Sequence, residues 1–113
     1  VPGTPDEKQK LLAAAVEKQP TALLRALVEF VEDASIDTLI PLAVKKGATL
    51  TPTEVVSPLH LATGLLRARA ARALLAAGAS LDTPLDTDWY PDLDSEEHYE
   101  KGLTVRALFA RVV

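Results

Sequence analysis

Between positions 85 and 101 the chain reads LDTDWYPDLDSEEHYEK, a run that concentrates carboxylates and aromatic rings. Seven acids, Asp86, Asp88, Asp92, Asp94, Glu96, Glu97 and Glu100, stand against the single base Lys101, a local balance of about minus six. Elsewhere nine acids meet eleven bases, so the net charge of -4 is concentrated in one segment of an otherwise slightly basic chain. The same segment holds Trp89, Tyr90 and Tyr99, leaving Phe30 and Phe109 as the remaining aromatic residues. Amphipathic, rotamer-poor rings surrounded by acid suit an interface that steers and grips a partner with a basic patch. The expected partner-binding residues are therefore Asp86, Asp88, Trp89, Tyr90, Asp92, Asp94, Glu96, Glu97 and Tyr99.

The carboxylates admit a second chemistry, because Asp86, Asp88, Asp92 and Asp94 are hard oxygen donors of the kind that surround calcium. A helix-loop-helix calcium site requires Gly at the sixth position and Glu at the twelfth. Counting from Asp86, Pro91 and Glu97 stand there. No residue is assigned as a metal ligand, and a calcium or small-ligand-binding domain is kept as the alternative. His98 beside Glu97 and Glu100 lacks the paired histidines of a zinc protease. The other histidine, His60, has no nucleophile partner in the sequence. Arg67, Arg69 and Arg72 form a small basic cluster, but the aromatic residues that nucleic-acid binding would interleave with it lie among the acids instead. Gly47 and Gly78 stand alone, without the Gly-Lys-Ser/Thr of a phosphate loop. The absence of Cys removes disulfides, thiolate metal sites and a cysteine nucleophile. With no convergent catalytic motif, the expectation is a non-enzymatic protein without a cofactor.

The elements that must position these groups are helical. The chain has 113 residues, enough for one domain, and its apolar 48% is rich in Ala and Leu. No apolar run approaches the roughly 18–20 residues that span a bilayer, so a soluble protein without membrane insertion is expected. The sequence has no Met and begins at Val1, which suggests that a signal peptide, pro-segment or expression remnant was removed. Its compartment, cytoplasmic or exported, stays open.

Thr4, Pro5 and Glu7 read as a capping box for a first helix that runs to about Lys18 and stops at Pro20. Thr21 is the expected cap of a second helix, with apolar positions from Leu23 to Val31 and an end near Asp33. Ser35 or Asp37 should cap a third, which tolerates Pro41 near its first turn and closes at Gly47. Ser57 and Pro58 open a fourth helix, loosened at Thr63 and Gly64. Residues 65–77 supply a fifth, ended by Gly78. Gly-Ala-Thr-Leu at Gly47 and Gly-Ala-Ser-Leu at Gly78 recur 31 residues apart, a period suited to a helical solenoid.

Ser57-Pro58-Leu59-His60-Leu61-Ala62 followed by Leu74-Leu75-Ala76-Ala77-Gly78-Ala79 resembles the ankyrin repeat, with Ser in place of the family's Thr. Gly102-Leu103-Thr104-Val105 resembles the opening of another repeat, with Val in place of Pro. The resemblance implies an all-α fold, a short ankyrin-like solenoid of stacked antiparallel helix pairs with capping helices and one long acidic inserted loop. Along the single domain of residues 1–113, the stretch 5–20 reads as an N-terminal cap helix, 22–52 as a degenerate repeat and 57–84 as a full repeat. Residues 85–101 are then the insertion, and 102–113 a partial repeat or C-terminal cap. Helices 1 and 2 could instead pair, leaving helix 3 irregular; the 31-residue register favours helix 1 as the cap. Ser57, Pro58, His60, Gly47, Gly78 and Gly102 take structural roles, and the resemblance gives His60 the task of holding successive repeats in register. The functional expectation is a protein-interaction module that grips a partner through its turns, inner helices and acidic loop, with an inhibitor or immunity protein of a toxin or effector as the narrower reading.

Overall fold

A computed structural model describes residues 5–52, 56–91 and 97–112, and within them the chain folds into six α-helices and no strands. They are α1 (Pro5–Lys18), α2 (Pro20–Phe30), α3 (Ile36–Lys45), α4 (Pro58–Gly64), α5 (Ala68–Ala76) and α6 (Val105–Val112). The expected cap Thr4 lies outside the described residues.

Only Gln19 separates α1 from α2. Pro20 lies in the first turn of α2, where its missing N–H is no loss, while the Gln19 N–H still bonds the Ala15 carbonyl at 3.0 Å. Thr21 does not cap this helix. Its hydroxyl instead accepts from the Thr49 N–H at 3.3 Å, tying the start of α2 to the turn after α3. α2 stops at Phe30, short of Asp33, because Val31 turns extended. Ser35 occupies the cap position of α3 but makes no capping bond. Its N–H and hydroxyl both donate to the Asp33 carboxylate, which lowers the Asp33 pKa through those two bonds. Pro41 lies in the second turn of α3 rather than the first. Its missing N–H leaves the Asp37 carbonyl without a helical partner, and both residues are exposed, so solvent can serve that carbonyl.

Three helices end in one hydrogen-bonded pattern. After α3 the Gly47 N–H bonds the Val44 carbonyl and the Ala48 N–H bonds that of Ala43; after α5 Gly78 and Ala79 bond Leu75 and Leu74 in the same way. These are Schellman turns, and Gly47 and Gly78 carry φ of 103° and 107°. α4 ends identically, Leu66 bonding Thr63 and Arg67 bonding Ala62, but the residue turned to positive φ (59°) is a leucine. A side chain there costs roughly 1–2 kcal/mol that glycine avoids. This turn also splits the expected fifth helix, which begins at Ala68 rather than at 65.

α2 packs on α3 and α4 on α5; α2, α4 and α6 follow one another in a row, α3 lies beside α5, and α1 covers α2 and α3. The core joins these rows through Leu24, Leu27 and Val28 of α2, Leu39, Ile40 and Ala43 of α3, Leu59 and Ala62 of α4, Ala70 and Leu74 of α5, and Val105 and Leu108 of α6. α4, flanked on both sides, is buried from Pro58 to Thr63. The body measures 44 × 28 × 22 Å with a radius of gyration of 14.2 Å, slightly above the roughly 13 Å of a sphere-like chain of this length. Among the described residues no helix is long and apolar enough to cross a membrane.

Candidate functional site

His60 and its neighbours connect the helices to the acidic segment. The Ser57 hydroxyl accepts the His60 N–H at 3.1 Å as the cap of α4 and lies 2.7 Å from Nδ1. His60 Nε2 lies 2.9 Å from the Leu103 carbonyl, which can only accept. Nε2 therefore carries the proton, and the Ser57 hydroxyl donates to Nδ1. The ring is fully buried, and burial pushes its pKa below the usual histidine value, against the smaller opposing effect of the Leu103 carbonyl. The bond crosses from α4 to the turn that opens α6, and a buried neutral ring with both nitrogens used is a structural joint. Pro58 sits in the first turn of α4, as expected, and Gly102 turns the chain at φ 90° just before Leu103.

Residues 85–101 are laced together over their described length. At the base, the Leu85 N–H bonds the Leu103 carbonyl and the Gly102 N–H bonds that of Leu85, each at 2.9 Å. Asp88 Oδ1 accepts the Lys101 N–H at 2.8 Å. Further out, Trp89 and Tyr99 exchange two backbone bonds of 2.8 Å, an antiparallel bridge. Their ring centroids lie 5.6 Å apart with planes tilted by 37°.

This lacing divides the expected anchors. Trp89 and Tyr99, expected to meet a partner, are 8% and 5% exposed and belong to the hydrophobic core with Leu85. The reason is the alternation of extended chain: Trp89 and Tyr90 are neighbours and face opposite ways, as are Tyr99 and His98. Tyr90, 56% exposed, stacks on His98 with centroids 5.0 Å apart and planes 18° apart. Trp89 reaches Gly64, where an added Cβ would fall within 2.8 Å of Cζ3 and closer still to Cη2. Gly64 thus matters as a seat for the indole, a role that the sequence reading, which took it as a loosened helix end, did not assign.

The described carboxylates stand outside this packed layer. Asp86, Asp88, Glu97 and Glu100 are exposed. Glu100 meets Arg111 at 3.5 Å. The Tyr99 phenol donates to Glu97, and burial, then the charge of Glu97, raises the phenol's pKa. Asp92, Asp94 and Glu96 lie outside the described residues. Among the described residues no group of three His, Asp or Glu could hold a metal ion. Of the arginine cluster, Arg67 ties the turn before α5 to Glu32 and to the Glu29 carbonyl at the end of α2, and Arg69 of α5 meets Asp37 of α3 at 3.7 Å.

Two hollows share Leu66 and Val112, and the wider one reaches the segment. One, of about 120 Å³, is apolar and lies between Ala62, Ala68, Ala71 and Phe109; the other, of about 460 Å³, is bordered by Gly64, Glu97, Tyr99 and Arg111. No protein-family model matches this chain, and neither curated proteins nor solved structures give a match.

Proposed function

We propose that the chain is a non-enzymatic interaction module, an ankyrin-like stack that presents residues 85–101 to a basic partner protein. The observation that carries this reading is the form of the acidic segment. Its described parts are braced against each other, with Trp89 and Tyr99 committed inward and Asp86, Asp88, Glu97 and Glu100, with Tyr90 and His98, facing out. Flanks already hydrogen-bonded to each other before binding lose less entropy on association than a loose loop. Its formal charge of about minus six against a body of about plus two steers cations toward one side. The ankyrin-like reading is supported by the paired helices, the two glycine turns 31 residues apart and the His60 bond into the following turn. Within this class, a small body with localised acid and no visible chemistry suits an inhibitor or immunity protein that masks a basic toxin or effector.

The test is affinity capture from the native source with three baits: the intact chain, a chain with Asp92, Asp94, Glu96 and Glu97 changed to Asn or Gln, and Tyr90→Ala. Gln at position 97 keeps an oxygen that can accept from the Tyr99 phenol, and a thermal melt of the second bait checks that it folds as the first does. A basic protein retained by the first bait and lost from the second supports the reading, with Tyr90→Ala weakening it by roughly 2 kcal/mol if that ring is a hot spot. Equal retention by all three removes the segment as the binding site.

A further inference from the structure

We propose that the partner surface extends from the acidic segment across Leu66 to the end of α6, and that this extension receives a basic amphipathic helix. The inference rests on the interaction reading above. It starts from a comparison inside the chain: of three equivalent helix-ending turns, two place glycine at the left-handed residue and one places Leu66. Leu66 is strained there and is also 68% exposed. Glycine would serve the turn equally well, so neither cost is recovered within the fold, and strain that folding does not require points to use. Leu66 forms the ridge between the two hollows, and Phe109, 54% exposed, stands across the apolar one.

Charge complementarity chooses the occupant. The wider hollow is bordered by Glu97, while Arg111 on the same rim is engaged by Glu100 and Arg67, beside the apolar hollow, by Glu32. An acidic ligand would set its charges against those carboxylates; a cationic one is drawn to them. A helix with an apolar stripe flanked by Lys or Arg matches both halves, placing the stripe over Leu66 and Phe109 and its flank against Glu97.

The test uses fluorescently labelled peptides of about 18 residues, enough for five helical turns. One is a Leu/Lys amphipathic helix, one its Leu/Glu counterpart, and one a scrambled Leu/Lys peptide of equal composition. Anisotropy titrations are run against the native chain, Leu66→Gly, Leu66→Ala and the pair Asp86→Asn with Glu97→Gln. The amphipathic Leu/Lys peptide should saturate the native chain, and the Leu/Glu peptide should not. Leu66→Gly and Leu66→Ala should each weaken binding at least about tenfold, a clear loss on the affinity scale, while Leu66→Gly melts no lower than the native chain. Unchanged affinity in both Leu66 variants, equal binding of the scrambled peptide, or no saturation by about 1 mM overturns the extension. If the charge pair alone weakens binding, the interaction reading stands without it; if neither change matters, both fall.

Discussion

His60 shows how one residue ties stability to pH. Its ring is neutral in the fold, donating through Nε2 to Leu103 and accepting from Ser57 at Nδ1, and its pKa is lowered by burial. The unfolded chain, with a histidine near 6.5, takes up the proton first as pH falls. Stability is therefore full above that value and declines as pH drops through it toward the lower folded pKa. We expect the melting temperature to fall between pH 7 and 5, and His60→Gln, although less stable at pH 7, to show a flatter profile across that range. Parallel profiles would assign the acid sensitivity to other groups. Gly64 supplies a second test. Gly64→Ala should cost about 1–3 kcal/mol by displacing the indole. Much of that loss should vanish when Trp89 is already Leu, a coupling that a double-mutant cycle of denaturant midpoints would measure. The roles of Ser57, Pro58, Gly47 and Gly78 were legible because caps and turns act through nearest neighbours. Gly64 and Leu66 were not: one depends on a ring 25 positions away, the other on a leucine doing what glycine ordinarily does.

At the scale of elements, the acidic segment behaves as part of the fold. Trp89→Ala should cost roughly 3–5 kcal/mol, the range for removing a buried aromatic, whereas Tyr90→Ala should change stability by no more than about 0.5 kcal/mol. Thermal melts of the two variants side by side check this; similar losses from both would refute the division into an inward and an outward ring. The sequence contained a signal for this division that composition alone hides, since adjacent residues of an extended chain cannot both face one surface. The helices were more legible. α4 follows its proline and cap signals, α1 stops before Pro20, and α3 and α5 keep their closing glycines, while α2 ends at Phe30 and the side-chain caps expected of α2 and α3 do not form. There Thr21 and Ser35 spend their hydroxyls on a distant backbone and on Asp33, choices that helix-start rules do not encode.

Across the whole molecule, two rows of helices carry the core and one braced segment carries the excess negative charge. The helical class was readable from composition and periodicity because both express the burial of one face per helix. The lacing of residues 85–101 was not, because it rests on bonds between chain segments that only the folded core brings together. Those bonds bear the account, since a braced projection and a solvated loop would meet a partner by different physics. Amide hydrogen exchange of the intact chain tests the distinction most directly. The Trp89 and Tyr99 amides, each bonded to the other's carbonyl, should be protected to an extent comparable with the buried amides of α4. Exchange of both at the rate of an unstructured peptide, with α4 still protected, would contradict it.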